Sequence, residues 1–157
     1  MKKTVELQEY TFSQLSELDQ AFLKEAKIAT EEAYAPYSEF YVGCVISLED
    51  GEMVHGSNQE NSSFPSGLCA ERVALFQCSK KLENKVKRMA VFARSEKYKV
   101  PTPLVPCAAC LQVIADIRSR QKAAIEIWLW DGSELVHKAK DVYEFLPFHF
   151  ELEEVDK

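Results

Sequence analysis

The sequence predicts an α/β fold, a three-layer α/β/α sandwich in which helices cover both faces of a mixed central sheet of about five strands. The first observation is that segments with helical spacing of apolar residues alternate along the chain with short apolar runs typical of strands. The second is that two Asp-Gly pairs, Asp50-Gly51 and Asp131-Gly132, stand between such runs, where they favour hairpin turns.

The first predicted elements are a helix and a hairpin. Ser16 and Asp19 resemble a capping pair, and apolar residues follow at helical spacing until the helix ends near Tyr34, because a proline then forbids another turn. Residues 42–48 are rich in apolar and β-branched side chains, and residues 53–56 return as a second strand after the first Asp-Gly turn.

The remaining elements alternate in the same way. An aperiodic loop leads into a second helix, predicted at residues 69–78, and a short apolar run at 89–93 indicates a buried strand. A third helix is predicted at residues 107–118, directly after a proline at a position that helix starts tolerate. Alternating apolar residues at 125–129 indicate a strand, which the second Asp-Gly turn joins to a last strand and a short helix near residues 142–145.

Length and composition fit one domain. The chain has 157 residues, of which 46% are hydrophobic and 28% charged, as is ordinary for a globular protein with a single core. We expect one domain over residues 1–157, with its core at about 21–150. On that division, residues 1–14 are an N-terminal extension and residues 151–157 a short acidic tail.

The charge pattern disfavours nucleic acid and membranes as partners. A net charge of −6 repels a polyanion at long range. The basic cluster Lys80, Lys81, Lys85, Lys87 and Arg88 is broken by Glu83, which indicates a solvated loop after a helix. The N-terminus lacks the apolar region of a signal peptide, and no window approaches the roughly 18 apolar residues of a membrane span. We therefore expect a cytoplasmic protein.

The five cysteines point to a metal site. In a reducing compartment an odd number of cysteines is not expected to form a disulfide framework. Cys69 stands at the start of the second predicted helix, and Cys107 and Cys110 stand at the start of the third. Cys44 and Cys78 are interpreted as small buried apolar residues.

Three thiolates with a nearby carboxylate indicate catalysis rather than structure. A structural zinc site takes four protein ligands, whereas three leave the fourth position to a water that the metal activates. Glu71 is the candidate for handling the protons of that water. Cys107 and Cys110 alone would equally suit a redox motif or half a zinc finger, and the combination with Cys69 and Glu71 is the sequence signature of zinc deaminases.

Charge on the thiolates needs compensation. The partial positive charges of two helix N-termini stabilise thiolates, and Arg72 is expected to draw further negative charge from them. Arg72 would otherwise be an ordinary surface arginine on a helix. His55, His137 and His149 are interpreted as surface histidines rather than as a fourth ligand.

Successive motifs resemble those of one family, the small homotetrameric cytidine deaminases. The resemblance runs in order from about Ala21 to Phe150 and therefore covers nearly the whole chain. The matching segments are residues 35–43 (APYSEFYVG), 58–61 (NQEN), 65–72 (PSGLCAER), 106–113 (PCAACLQV) and 145–150 (FLPFHF).

This resemblance implies the roles of individual residues. Cys69, Cys107 and Cys110 would bind one Zn²⁺ per chain, and Glu71 would carry a proton from the water to N3 of the base as C4 is attacked. Asn58 and Glu60 would hold the ribose 3′-hydroxyl, although simple turn chemistry also explains polar residues in such a loop. Further substrate contacts are implied for Phe40, Ala70 and, from a neighbouring subunit, Phe150.

The implied activity is hydrolysis of cytidine and 2′-deoxycytidine in pyrimidine salvage, by a homotetramer with shared active sites. Where the family usually has Gly, Arg and Tyr, this chain has Ala108, Leu111 and Phe64. These departures leave open the deamination of another nucleoside-like molecule of the blasticidin S type. Two further functions are less favoured by the sequence, a nucleic-acid-editing deaminase and a zinc-stabilised module without activity.

Overall fold

The computed structural model describes residues 2–78 and 84–152. Its strands are β1 (Gln8–Thr11), β2 (Phe40–Leu48), β3 (Met53–Ser57), β4 (Val86–Ser95), β5 (Glu126–Trp130) and β6 (Leu135–Ala139). Its α-helices are α1 (Glu17–Ala29), α2 (Ala70–Cys78) and α3 (Ala108–Gln121). Short 3-10 turns occupy Phe12–Gln14, Thr30–Glu32, Phe64–Ser66 and Val142–Glu144.

The strands form one mixed sheet in the order β1-β6-β5-β4-β2-β3. Strands β4 and β5 run parallel, and the other neighbours are antiparallel. The sheet has six strands rather than about five, because residues of the predicted N-terminal extension form β1 and pair with β6, Gln8 opposite Lys138 and Thr11 opposite Leu135. The sequence of β1, Gln-Glu-Tyr-Thr, contains no apolar run that would have indicated a strand.

Helices cover both faces of this sheet, which confirms the three-layer prediction. On one face, α1 contributes Phe22, Leu23 and Ala26 to a cluster that includes Trp128 and Trp130 of β5. On the other face, α2 and α3 pack against the larger core cluster. Both faces of β5 are therefore buried. Its two tryptophans lie in the core, as its aliphatic residues do.

The ends of the predicted elements follow local chemistry. The Ser16 hydroxyl accepts a hydrogen bond from the backbone N–H of Asp19 at 3.2 Å, as predicted for the N-cap of α1. The α-helix ends at Ala29, earlier than expected, and continues only as a 3-10 turn. Gly51 and Gly132 have φ of +90° and +88°, as the two predicted hairpin turns require.

Close backbone packing fixes α2 against the sheet. A Cβ placed on Gly56 of β3 would lie 2.4 Å from the carbonyl oxygen of Ala70, so only glycine permits this approach. The start of α2, which follows Cys69 and contains Glu71, is thereby held against β3.

Two sequence expectations fall partly outside the described residues. Lys80, Lys81 and Glu83 of the basic cluster lie there, as do residues 153–157 of the acidic tail. Lys87 and Arg88 are described, and they lie in β4 rather than in a loop. Across residues 2–78 and 84–152, none of the helices combines the length and hydropathy needed to cross a membrane.

Candidate active site

Three cysteine sulfur atoms meet where α2 and α3 begin. Cys69 immediately precedes α2, Cys107 is the N-cap residue of α3, and Cys110 lies in the first turn of α3. All three Sγ atoms lie within 4.8 Å of one another. Cys69 and Cys107 are separated by 3.7 Å, and Cys107 and Cys110 by 3.5 Å.

These separations suit a tetrahedral zinc ion. Zn–S bonds of about 2.3 Å at tetrahedral angles place two sulfur atoms about 3.7 Å apart. Within the described ranges, these cysteines are the one group of three or more metal-binding side chains that comes together. The donor set thus fits zinc through three protein ligands, with Cys110 buried, Cys69 half-buried and Cys107 exposed.

Neighbouring groups stabilise negative charge on one member of this triad, Cys69. The pKa of the Cys69 thiol is lowered to about 5, because Cys110 donates a hydrogen bond to it and the Arg72 guanidinium lies beside it. Arg72 Nη2 is 3.7 Å from Cys69 Sγ, and the arginine side chain is partly buried rather than free on the surface. The pKa of Cys110 is raised, because it shares its proton with Cys69 and is buried.

The carboxyl group of Glu71 is buried beside the triad. Glu71 is 4% exposed and lies in the first turn of α2. Burial, together with the negative charge of Cys69, raises the pKa of Glu71 to about 7. A buried carboxyl that holds and releases a proton near neutral pH is suited to proton transfer.

Cys69, Cys107 and Glu71 line a cavity of about 780 Å³, within the range of about 300–1,000 Å³ common for small-molecule sites. Seven of the ten predicted site residues line it: Phe40, Asn58, Glu60, Cys69, Glu71, Arg72 and Cys107. The lining also includes residues to which the sequence assigned no role, among them Ser38, Tyr98 and Leu104.

Two of the predicted substrate-contacting residues, Ala70 and Phe150, do not line the cavity with their side chains in this chain. The side chain of Ala70 is fully buried in the core, so only its backbone is near the cavity wall formed by Cys69 and Glu71. The ring of Phe150 does not line the cavity and is 70% exposed. The Gln112 amide of α3 donates to the carbonyl of Phe150 at 2.9 Å, which fixes the tail along this helix.

Asn58 and Glu60 are anchored by the segment that enters β2. Asn58 Oδ1 accepts from the backbone N–H of Val42 at 2.8 Å, and Asn58 Nδ2 donates to the carbonyl of Phe40 at 2.8 Å. Glu60 Oε2 accepts from the N–H groups of Tyr37 and Ser38, at 2.9 and 3.3 Å. Asn58 and Glu60 therefore both stabilise the local turn through hydrogen bonds to the backbone and line the cavity.

The three departures from the family pattern lie mostly away from the cavity. Ala108 is exposed and is not part of the lining, and Leu111 is buried in the core, 6% exposed. Phe64 lines the cavity mouth and meets the ring of Tyr37 edge to face at 5.8 Å. The extra methyl of Ala108 does not narrow the cavity within this chain.

Two histidines differ from their interpretation as surface residues: the side chain of His149 is only 13% exposed and stacks on the ring of Tyr143, and His137 is buried more deeply. His137 is buried, 4% exposed, with its Nε2 3.5 Å from a carboxylate oxygen of Glu9 on β1. It is buried because β1, which the sequence did not reveal, covers the edge of β6. His55 is exposed and pairs with Glu25, and none of the histidines joins the cysteine group in the described residues.

The part of the chain that contains the three clustered cysteines matches a known protein family. Residues 16–125, which include all three cysteines, match the family model described as the cytidine and deoxycytidylate deaminase zinc-binding region. The chain is 41% identical over 98 residues to a cytidine deaminase of Halalkalibacterium halodurans, covering 62% of this chain and 70% of the relative. It is 44% identical over 94 residues to a cytidine deaminase of Sporosarcina psychrophila, covering 60% of this chain and 65% of the relative.

The fold has a matching solved structure. The crystal structure of cytidine deaminase from Burkholderia pseudomallei superposes with a TM-score of 0.71 at 33% identity, covering 87% of this chain and all of that chain.

Proposed function

Since this chain belongs to the family described as the cytidine and deoxycytidylate deaminase zinc-binding region, we propose that it hydrolyses cytidine and 2′-deoxycytidine to uridine and 2′-deoxyuridine. Water is consumed and ammonia is released at C4 of the base. One observation carries the proposal: three cysteine sulfur atoms lie within 4.8 Å of one another, and two of these cysteines, Cys69 and Cys107, line a cavity together with the buried carboxyl group of Glu71. Pyrimidine salvage in the cytoplasm is the context we propose for this reaction.

Cys69, Cys107 and Cys110 are the residues that would hold one zinc ion per chain. When bound, zinc supplies a Lewis acid that makes water acidic enough to act as a nucleophile near neutral pH. The helix N-termini at Cys69 and Cys107 and the guanidinium of Arg72 offset the negative charge of the thiolates.

Glu71 is the proposed proton carrier. It accepts a proton from the attacking water and delivers it to N3 of the pyrimidine; it then takes the remaining proton from the new hydroxyl group at C4 and passes it to the amine, which leaves as ammonia. Its burial supports this role, since a carboxyl group that is 4% exposed has little contact with bulk water and has its pKa raised to about 7.

Asn58 and Glu60 are proposed to hold the 3′-hydroxyl of the ribose. The Asn58 amide uses one donor and one acceptor on β2 and retains one of each. The Glu60 carboxylate has about four acceptor positions and uses three within the chain, so it retains one. One donor from Asn58 and one acceptor from Glu60 match a single hydroxyl, and 2′-deoxycytidine therefore remains a substrate.

Other residues in or beside the cavity wall are proposed to contact the parts of the nucleoside beyond its 3′-hydroxyl. The ring of Phe40 is proposed to pack on the nucleoside, and Ala70 to contact the base through its backbone, because its side chain is in the core. A nucleic-acid strand is disfavoured by the net charge of −6. We propose a homotetramer in which Phe150 closes the site of a neighbouring subunit.

The direct test is a substrate panel with the purified protein: cytidine, 2′-deoxycytidine, blasticidin S and single-stranded DNA that contains cytosine. Uridine and 2′-deoxyuridine formation would support the proposal. Conversion of blasticidin S or of DNA in preference to both nucleosides would replace it with the corresponding deaminase activity. The positions of Ala108 and Leu111, outside the cavity, favour neither of those two activities.

A further inference from the structure

We propose that Ser38 is a positioning residue that fixes the carboxylate of Glu60 for the ribose hydroxyl, an inference that rests on the proposed nucleoside specificity. Ser38 Oγ donates a hydrogen bond to Glu60 Oε1 at 2.5 Å, and the backbone N–H of Ser38 donates to Glu60 Oε2 at 3.3 Å. Both contacts come from one partly buried residue in the cavity wall.

The Ser38 hydroxyl also ties Glu60 to the strand that anchors Asn58. It accepts a hydrogen bond from the backbone N–H of Phe40 at 3.1 Å, while the carbonyl of Phe40 accepts from Asn58 Nδ2 at 2.8 Å. Glu60 and Asn58, the two groups proposed to share one hydroxyl, are thus linked through Ser38 and the backbone of Phe40. Loss of the Ser38 hydroxyl would break this link at its centre.

The backbone between these residues adopts a conformation that makes the link possible. Glu39 has φ of +55°, in the left-handed region that residues other than glycine rarely adopt. This turn folds the Ser38 hydroxyl back onto the N–H two residues ahead. Such backbone strain is maintained where the surrounding contacts determine the conformation, and it is concentrated at functional sites.

Ser38 also determines which acceptor position of Glu60 remains free. Oε2 already receives two backbone N–H donors, from Tyr37 and Ser38, and Oε1 receives the Ser38 hydroxyl. One lone pair on Oε1 is left for the substrate. The hydrogen bonds hold the pKa of Glu60 below its usual value against a desolvation effect that raises it, so the carboxylate stays ionised as an acceptor.

The experiment compares two substrates on the same protein variants. Ser38→Ala removes the hydroxyl, Ser38→Thr retains it, and Ser62→Ala is the control at an exposed serine outside the cavity wall. Steady-state kinetics are measured with cytidine and with 3′-deoxycytidine, which lacks the group that Glu60 is proposed to bind. Zinc content and Tm are recorded for each variant.

We expect Ser38→Ala to lower kcat/KM for cytidine about tenfold, mainly through KM, since a hydrogen bond to a charged group is lost. With 3′-deoxycytidine the same variant should stay within about twofold of wild type, because the interaction that Ser38 supports is absent. Ser38→Thr should recover most of the loss, and Ser62→Ala should match wild type. In a Glu60→Gln background, Ser38→Ala should add little.

Equal losses on both substrates, or no recovery in Ser38→Thr, would show a structural role only and overturn the inference. Equal kcat/KM values of the wild-type protein for cytidine and 3′-deoxycytidine would also overturn it. The 3′-hydroxyl would then not be recognised, and Glu60 would have no such contact for Ser38 to position. Failure of the wild-type protein to deaminate any nucleoside would refute the proposed function itself, and this outcome is distinct from the others.

Discussion

The sulfur atoms of Cys69 and Cys107, 38 residues apart in the chain, lie 3.7 Å from each other. Cys69 belongs to the start of α2 and Cys107 to the start of α3, and both helices pack on the same face of the sheet. A metal ion held between them would therefore cross-link two core helices. Metal binding and folding stability should be coupled for this reason.

Cys107→Ser is expected to lose zinc and stability together. Replacing the most exposed of the three thiols leaves two ligands, so the metal should dissociate on dialysis, and the Tm should fall by several degrees. The measurements are zinc content by atomic emission and thermal unfolding. Cys44→Ala is the control, because it removes a buried thiol outside the triad and should lower Tm while keeping one zinc per chain. An active, metal-free Cys107→Ser protein would refute the ligand assignment.

Arg72→Ala tests the compensation of charge at Cys69. Loss of a residue that contacts a metal ligand typically weakens metal affinity about 10–100-fold, and we expect the variant to lose zinc to a competing chelator in that range. Arg120→Ala is the control, since Arg120 pairs with Asp116 on the exposed side of α3. Identical zinc affinities in the two variants would mean that Arg72 acts only as a packing residue.

Asp19→Asn tests the pH dependence of stability. Burial raises the pKa of Asp19, but hydrogen bonds from Ser16 and Arg88 outweigh it and lower the pKa overall. Since the folded state favours the ionised form, the stabilisation is present above the unfolded value of about 4 and is lost as pH falls through the lower folded pKa. We expect a loss of about 1 kcal/mol at pH 7.

The measurement for Asp19 is urea unfolding at a series of pH values. The free energies of unfolding of wild type and Asp19→Asn should converge as the pH is lowered below about 4. Asp116→Asn, which breaks a more exposed pair with Arg120, should cost less than about 0.5 kcal/mol at pH 7. A difference for Asp19→Asn that is constant from neutral to acid pH would exclude the ion pair as its cause.

Phe150→Ala tests the sharing of sites between subunits. The ring is 70% exposed in this chain and follows Phe148, 62% exposed, so both rings require a partner surface to be covered. We expect a severalfold higher KM for cytidine with zinc content and oligomeric mass unchanged. Leu152→Ala, at a similarly exposed apolar residue two positions later, should leave KM unchanged.

Mixed oligomers of Phe150→Ala and Glu71→Gln chains separate the two ways in which Phe150 could act. The functional Glu71 would then belong to chains that lack the Phe150 ring, while their neighbours supply it. A KM restored toward the wild-type value indicates action across the subunit boundary. An unchanged high KM indicates that Phe150 acts within its own chain.

The sequence predicted the local elements well and the long-range pairing poorly. Ser16, the two Asp-Gly turns and the cysteine-bearing helix starts depend on neighbouring residues, and the structure places them as expected. Strand β1 depends on pairing with residues more than a hundred positions later, which no local pattern in Gln-Glu-Tyr-Thr indicates. The burial of His137 was missed for the same reason.

In the candidate site, too, features that depend on neighbouring residues were predicted and contacts between distant residues were not. The cysteine spacing and Glu71 carry their chemistry in the sequence itself, so their convergence was expected. Ser38 lies in a segment whose resemblance to the family was evident, yet its contact with Glu60 spans 22 residues and depends on the left-handed turn at Glu39. Only the folded chain shows that the two side chains meet.

Glu71→Gln with cytidine as substrate tests the central claim most directly. The amide keeps the size and polarity of the side chain but cannot carry the proton, so we expect one zinc per chain and a loss of deamination of at least about 10²-fold. Wild type should release uridine and ammonia in equal amounts. Turnover by zinc-loaded Glu71→Gln at a rate close to that of wild type, or no uridine from zinc-loaded wild type, would contradict the account.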